Sequence, residues 1–119
     1  MGDREKGASM YNEVYCGDLP EPPAAGDDRW FDFMLSSLFS ELWGNDTLSI
    51  EQRRLLLLGA IAAQGEENTF LIQCRAALKR GELSYQQLEE VTLFMTQYVG
   101  YPKGSKLRGA LATLASEYQ

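Results

Sequence analysis

Apolar residues recur with a helical period along most of the chain beyond residue 26. Trp30, Phe31, Phe33, Met34, Leu38, Leu42 and Trp43 do so behind Asp27 or Asp28, either of which suits an N-cap, and Gly44 ends the run. This predicts a first helix with a large aromatic face. So many rings are hard to cover in a small domain, so the face is expected to bury against a neighbouring subunit, with packing inside one chain as the alternative. A second helix opens with the capping box Ser49-Ile-Glu-Gln52 and continues through Leu55–Leu58 and Gly59–Ala63. Its small, apolar surface predicts burial on most sides, with close backbone approach at Gly59. In the third, Phe70, Leu71, Cys74, Ala77 and Leu78 form a core stripe flanked by a polar strip of Glu66, Thr69, Gln73 and Arg80. Such a strip suits either pocket lining or a helix edge meeting solvent, and both stay open for Gln73. For Arg80, beside Gly81, stabilising the helix C-terminus is the expected role.

A fourth helix starts at a second capping box, Ser84-Tyr-Gln-Gln87, and stops at Gly100 before Pro102. Leu88, Val91, Phe94, Met95, Tyr98 and Val99 form its apolar face, with Glu90 just off the stripe. Tyr98 reads as a core residue with a locally satisfied hydroxyl, substrate contact being the alternative. The last helix, from about Ser105, carries Leu107, Ala110, Leu111 and Leu114. With no strand pattern anywhere, the expected fold is all-α, a single small domain of about five to six helices. Residues 1–26 are expected to be an extended acidic N-terminal arm, because the prolines of Leu19-Pro-Glu-Pro-Pro-Ala-Ala-Gly cannot continue a helix, and residues 27–119 the helical domain.

Length and composition suit one domain: 119 residues, 45% hydrophobic and 24% charged. The net charge of -6 is unevenly placed. Residues 1–46 hold ten acids against three bases, and residues 47–119 seven against eight. The acidic arm argues against nucleic acid and anionic lipid as partners. No apolar run approaches the roughly 20 residues of a membrane span, and the N-terminus lacks the apolar centre of a signal peptide, so a cytoplasmic protein is expected. Cys16 and Cys74 form neither a CxxC pair nor a disulfide framework, and Cys74 reads as a small core residue. There is no histidine, and the adjacent acids Glu66-Glu67 and Glu89-Glu90 lack ligand spacing, so no metal is expected.

Several motifs follow one another in a distinctive order. Arg75-Ala-Ala-Leu-Lys-Arg-Gly81 comes first, then the Ser84-capped helix with Leu88-Glu-Glu-Val91, then Tyr98-Val-Gly-Tyr-Pro102. With Leu48-Ser-Ile-Glu-Gln-Arg53, Leu42-Trp-Gly44 and, more loosely, Glu13-Val-Tyr-Cys-Gly-Asp18, this order resembles the carboxymuconolactone decarboxylase family of the alkylhydroperoxidase D-like superfamily. The resemblance runs without gaps from Leu48 to Pro102. It departs from the family at several places: the Glu13–Asp18 motif has one extra residue, Lys103-Gly104 follows Pro102 where small residues are usual, and two further departures fall on single positions. Gln73 stands where the family has a histidine, and Arg54 where an acid is common.

The resemblance implies a homo-oligomer, trimer or hexamer, with a small-molecule site near subunit contacts and no cofactor. Family decarboxylases act on a lactone dicarboxylic acid, which requires a placed proton donor and a cation near the leaving carboxylate. Matching positions make Glu66, Gln73 and Tyr98 the catalytic candidates and Arg53, Glu90 and Gly100 the substrate-binding ones. An amide cannot shuttle protons, so acid-base work would fall to a carboxyl such as Glu66 or Glu67, or to Tyr98. Thiol peroxidase chemistry is excluded, because the two cysteine positions of that reaction fall on Glu66 and Thr69. Two functions remain: a cofactor-independent lyase or related enzyme on a small carboxylate- or lactone-containing substrate, and a catalytically silent oligomeric scaffold that binds a ligand or a protein.

Overall fold

The computed structural model describes residues 2–118, which are all-helical with no strand among them. Helix α1 spans Arg4–Tyr15, α2 Arg29–Phe33, α3 Ile50–Gln64, α4 Glu67–Lys79, α5 Tyr85–Val99, α6 Tyr101–Ala112 and α7 Ala115–Tyr118. Helix α2 passes directly into a π-helix over Met34–Trp43. The chain divides into two compact units, one up to Ile50 and one from Glu51.

The first unit corrects the expectation of an extended arm over residues 1–26. Asp3 caps a real helix there, its Oδ1 accepting from the backbone N–H of Glu5 at 2.9 Å and of Lys6 at 3.2 Å. Gly7, Tyr11 and Val14 recur on one face and are buried. At Gly7 a Cβ would collide with the Leu35 carbonyl, so glycine is what lets α1 lie against the π-helix. The proline-rich segment after residue 18 is indeed non-helical, and Arg4 fastens it by donating to the Pro23 carbonyl at 2.5 Å and to Asp32 at 2.8 Å.

The aromatic helix starts at Asp28, as its capping side chain shows, but it buries only part of its apolar surface. Leu35, Phe39 and Trp43 point inward at a spacing of four, which the wide turn of a π-helix keeps in line. Phe39 meets Tyr11 edge-on, with ring centroids 5.2 Å apart, and stacks on Trp43 at 6.3 Å. These rings are therefore covered by α1 of the same chain. Trp30, Phe33, Leu38 and Leu42 stay exposed, Trp30 at 77%.

In the second unit, Leu58, Ile61, Phe70, Cys74, Leu88, Leu107, Leu111 and Leu114 make one core. The α4 stripe and the Ser84/Gln87 capping box agree with the sequence reading. Helix α3 does not: Leu55 and Leu56 are exposed, and Gly59 has only an ordinary contact with Met95, because burial is confined to the stripe Arg54, Leu58, Ile61 and Ala62. Helix α5 is also turned from its expected face. Thr92 and Thr96 point inward while Phe94 and Tyr98 are exposed, Tyr98 at 77%. Each threonine hydroxyl donates to the carbonyl four residues back, at 2.8 and 2.7 Å, which removes the cost of burying it. Gly104 supplies the space, since a Cβ there would run into the Thr96 side chain. Gly100, at φ 96, is a conformation that side chains disfavour; it ends α5 and allows α6 to begin at Tyr101, four residues earlier than expected, with Pro102 in its first turn.

Replacing Phe39 by Ala should cost about 3–5 kcal/mol of stability, the usual loss for truncating a buried aromatic, and should do so at any protein concentration. Urea unfolding at two concentrations checks this. A loss that vanishes on dilution would place the ring at a subunit contact instead.

Candidate functional site

Arg54 is fully buried in the second unit, at 0% exposure. Burying a guanidinium requires an anion and a set of acceptors, and the fold brings both from elements distant in sequence. Glu82, in the turn after α4, receives two parallel hydrogen bonds: Arg54 Nε donates to its Oε1 at 3.0 Å and Nη2 to its Oε2 at 3.1 Å. Gln73, from the middle of α4, accepts from Arg54 Nη1 at 2.5 Å and is itself 1% exposed. Arg80 donates to Glu82 at 2.6 Å from the rim, so its expected place at the helix end comes with a specific partner. Among the described residues no buried side-chain nitrogen or oxygen is left without a hydrogen bond.

Gln73 is not a helix edge meeting solvent: its amide is part of a buried polar cluster. The other candidates stand elsewhere. Glu66 is the exposed N-cap of α4, its carboxylate accepting from the Asn68 N–H at 3.2 Å. Arg53 is half-buried on α3, one residue before Arg54. Glu90 is exposed on α5. Tyr98 packs its ring on Phe94, centroids 5.3 Å apart, near the end of that helix, and Gly100 forms the corner that follows. Of the six, Gln73 alone joins the Arg54 cluster.

Sequence reasoning did not count Arg54 or Glu82 among the candidate site residues. A signal existed for the first: Arg54 lies four residues before Leu58, on the same face as the most buried residue of α3, which is an odd place for a charge without a partner. Glu82 lies in a loop, where no periodicity could have marked it.

Cys74 sits in the same core. Burial pushes its thiol up to about 12, the Arg54 guanidinium opposing this only in part, so the sulfur stays protonated and a poor nucleophile at neutral pH. No group of three or more Cys, Asp or Glu that could hold a metal ion occurs among the described residues, and none of their helices is long and apolar enough to cross a membrane.

A separate groove of about 420 Å³ runs between α5 and α6, with Tyr85, Leu93 and Leu111 among its apolar walls and Glu89, Ser105 and Arg108 among its polar ones. None of the six candidate residues lines it. Comparison with protein-family models, with curated proteins and with solved structures gives no match. The family resemblance therefore stands on the quoted residues alone.

Two outcomes are expected. Glu82→Gln should destabilise the protein by about 3–5 kcal/mol, because it leaves a buried cation without its anion, whereas Arg80→Gln at the rim should cost about 1 kcal/mol or less; denaturant titration separates them. Stability should also fall in alkali. The Cys74 thiol is raised when folded, so its contribution is complete below pH 9.0 and lost as pH rises towards about 12. A Cys74→Ala variant should show a shallower decline over that window.

Proposed function

We propose that this chain is a catalytically silent member of the carboxymuconolactone decarboxylase family, an oligomeric helical scaffold that binds a ligand or a protein. The observation that carries the reading is the hydrogen bond from Arg54 to Gln73. The resemblance puts an acid and a histidine at these two positions, and here they hold a cation and an amide in direct contact. The two departures then make sense as one exchange. Where the resemblance puts an acid, there is a guanidinium that needs a permanent acceptor, which an amide oxygen is and a protonatable ring is not. The same exchange removes the group that would move a proton.

A lyase would need a donor and a carboxylate clamp converging on one substrate. The lyase reading finds little support in the positions of Glu66 and Tyr98, one committed to capping a helix and the other out on the surface of α5. The oligomeric part of the proposal is supported by exposed apolar side chains on both units: Trp30, Phe33 and Leu42 in the first, Leu56, Phe94 and Tyr98 in the second.

The test joins two measurements on the unmodified protein. Decarboxylation of a carboxymuconolactone-type substrate should stay at background, and light scattering at micromolar concentration should give a trimer or hexamer. Gln73→His should restore no turnover and should lower the melting temperature, since an imidazole beside a buried guanidinium loses a dependable acceptor. Clear lactone turnover by the unmodified protein would overturn the silent reading, and a monodisperse monomer the assembly.

A further inference from the structure

The groove between α5 and α6 is built differently from the Arg54 cluster and shares no residue with it. Two contacts fix the register of its walls. Thr96 lies against Gly104 at one end, and at the other the Tyr85 hydroxyl donates to the Leu111 carbonyl at 3.3 Å. The two helices are thus antiparallel, and the stretch from residue 89 to 93 on α5 faces that from 105 to 108 on α6. Glu89 and Arg108 flank the middle of the same groove from opposite walls.

The groove surface is apolar in larger part, with polar groups among its lining. Thr92 and Thr96 line it, but their hydroxyls are spent on carbonyls of their own helix. Leu93 and Leu111 add apolar surface, and the Tyr101 ring stands at the rim, its hydroxyl accepting from Gln97 Nε2 at 3.2 Å. The charged side chains of the lining, Glu89 and Arg108, are both exposed. Neither Glu89 nor Arg108 makes an ion pair or a hydrogen bond among the described residues. A volume of about 420 Å³ lies within the range of roughly 300–1,000 Å³ typical of small-molecule sites.

We propose that this groove binds a small zwitterion with an apolar or aromatic body, of the chemical class of a free aromatic amino acid. This rests on the binding-scaffold reading and names its site. The carboxylate of such a ligand faces Arg108, its ammonium faces Glu89, and its body covers the Leu93 and Leu111 floor. Charge selects the class. A purely anionic ligand held by Arg108 meets the Glu89 carboxylate across the groove, a purely cationic one meets Arg108, and only a ligand carrying both signs answers both walls.

The full chain titrated with L-phenylalanine, with its methyl ester and with its N-acetyl derivative, and followed by backbone amide shifts in NMR, tests this directly. L-Phenylalanine should saturate in the millimolar range with shifts centred on α5 and α6, and each derivative should bind about tenfold more weakly or worse. Arg108→Gln should lift the discrimination against the cationic ester, and Glu89→Gln that against the anionic derivative. Both side chains are exposed, so both variants should melt like the parent. Equal binding of all three probes, shifts that fail to saturate, or shifts outside α5 and α6 would each overturn the proposal. Lactone turnover assayed on the same sample keeps the two readings apart: turnover with zwitterion binding sinks the silent reading alone, and absence of both sinks the groove alone.

Discussion

A guanidinium with no access to water is the constraint around which the second unit is arranged. Arg54 cannot be buried alone, because the desolvation cost of an isolated charge exceeds what packing around it returns. Its needs fix three elements at once. Helix α3 carries the cation, α4 must turn Gln73 towards it, and the chain after Gly81 must bring Glu82 back to accept two bonds from the same fork. A carboxylate shared between Arg54 inside and Arg80 at the rim joins the buried end of the cluster to solvent. An apolar residue at position 54 would pack, but it would set neither the rotation of α4 nor the path of the turn. The cluster therefore specifies geometry as well as stability.

The same chemistry explains why proton transfer is a poor use of this core. Acid-base catalysis wants a group whose affinity for protons lies near neutrality. The chain has no histidine, its buried thiol holds its proton far into the alkaline range, and Gln73, where the resemblance would put a histidine, is an amide engaged by a permanent cation. Each of these three features would alone be unremarkable. Together they support the silent reading proposed for this chain.

Much of the second unit was legible because its residues obey local rules. The Phe70, Cys74 and Ala77 stripe, the Ser84 capping box and the Gly100 stop are each decided within one or two helical turns. What escaped the sequence was decided across elements. Helix α1 has a weak apolar stripe interrupted by Gly7, which reads as a helix breaker until the Leu35 carbonyl stands beside it. The π-helix shows a spacing of four that an ordinary helix also tolerates, so nothing local marks it, and the packing of Phe39 against Tyr11, Tyr15 and Trp43 is seen only in the fold. On α5 two faces compete. Phe94 and Tyr98 are the more hydrophobic, yet Thr92 and Thr96 are buried, because a threonine that bonds to its own helix behaves as a small apolar residue and allows Gly104 to approach. Among the candidate site residues, position was readable but environment was not: Gln73 was found as distinctive, while the partner that gives it meaning, Arg54, was noted only as a departure.

That exchange on α5 also has a consequence for where binding can occur. Turning Thr92 and Thr96 inward sends Phe94 and Tyr98 outward and lets α5 and α6 touch closely at Thr96 and Gly104, the groove lying along the seam between that contact and the one from Tyr85 to Leu111. A groove results from close packing at one end rather than from a missing side chain. Its walls carry charges on exposed positions, which cost little to maintain or to change, whereas the Arg54 cluster is buried and cannot lose one member without stranding another. The two sites have no side chain in common. The cluster that holds the fold is thereby built from other residues than the groove proposed for binding, whose charged positions are exposed.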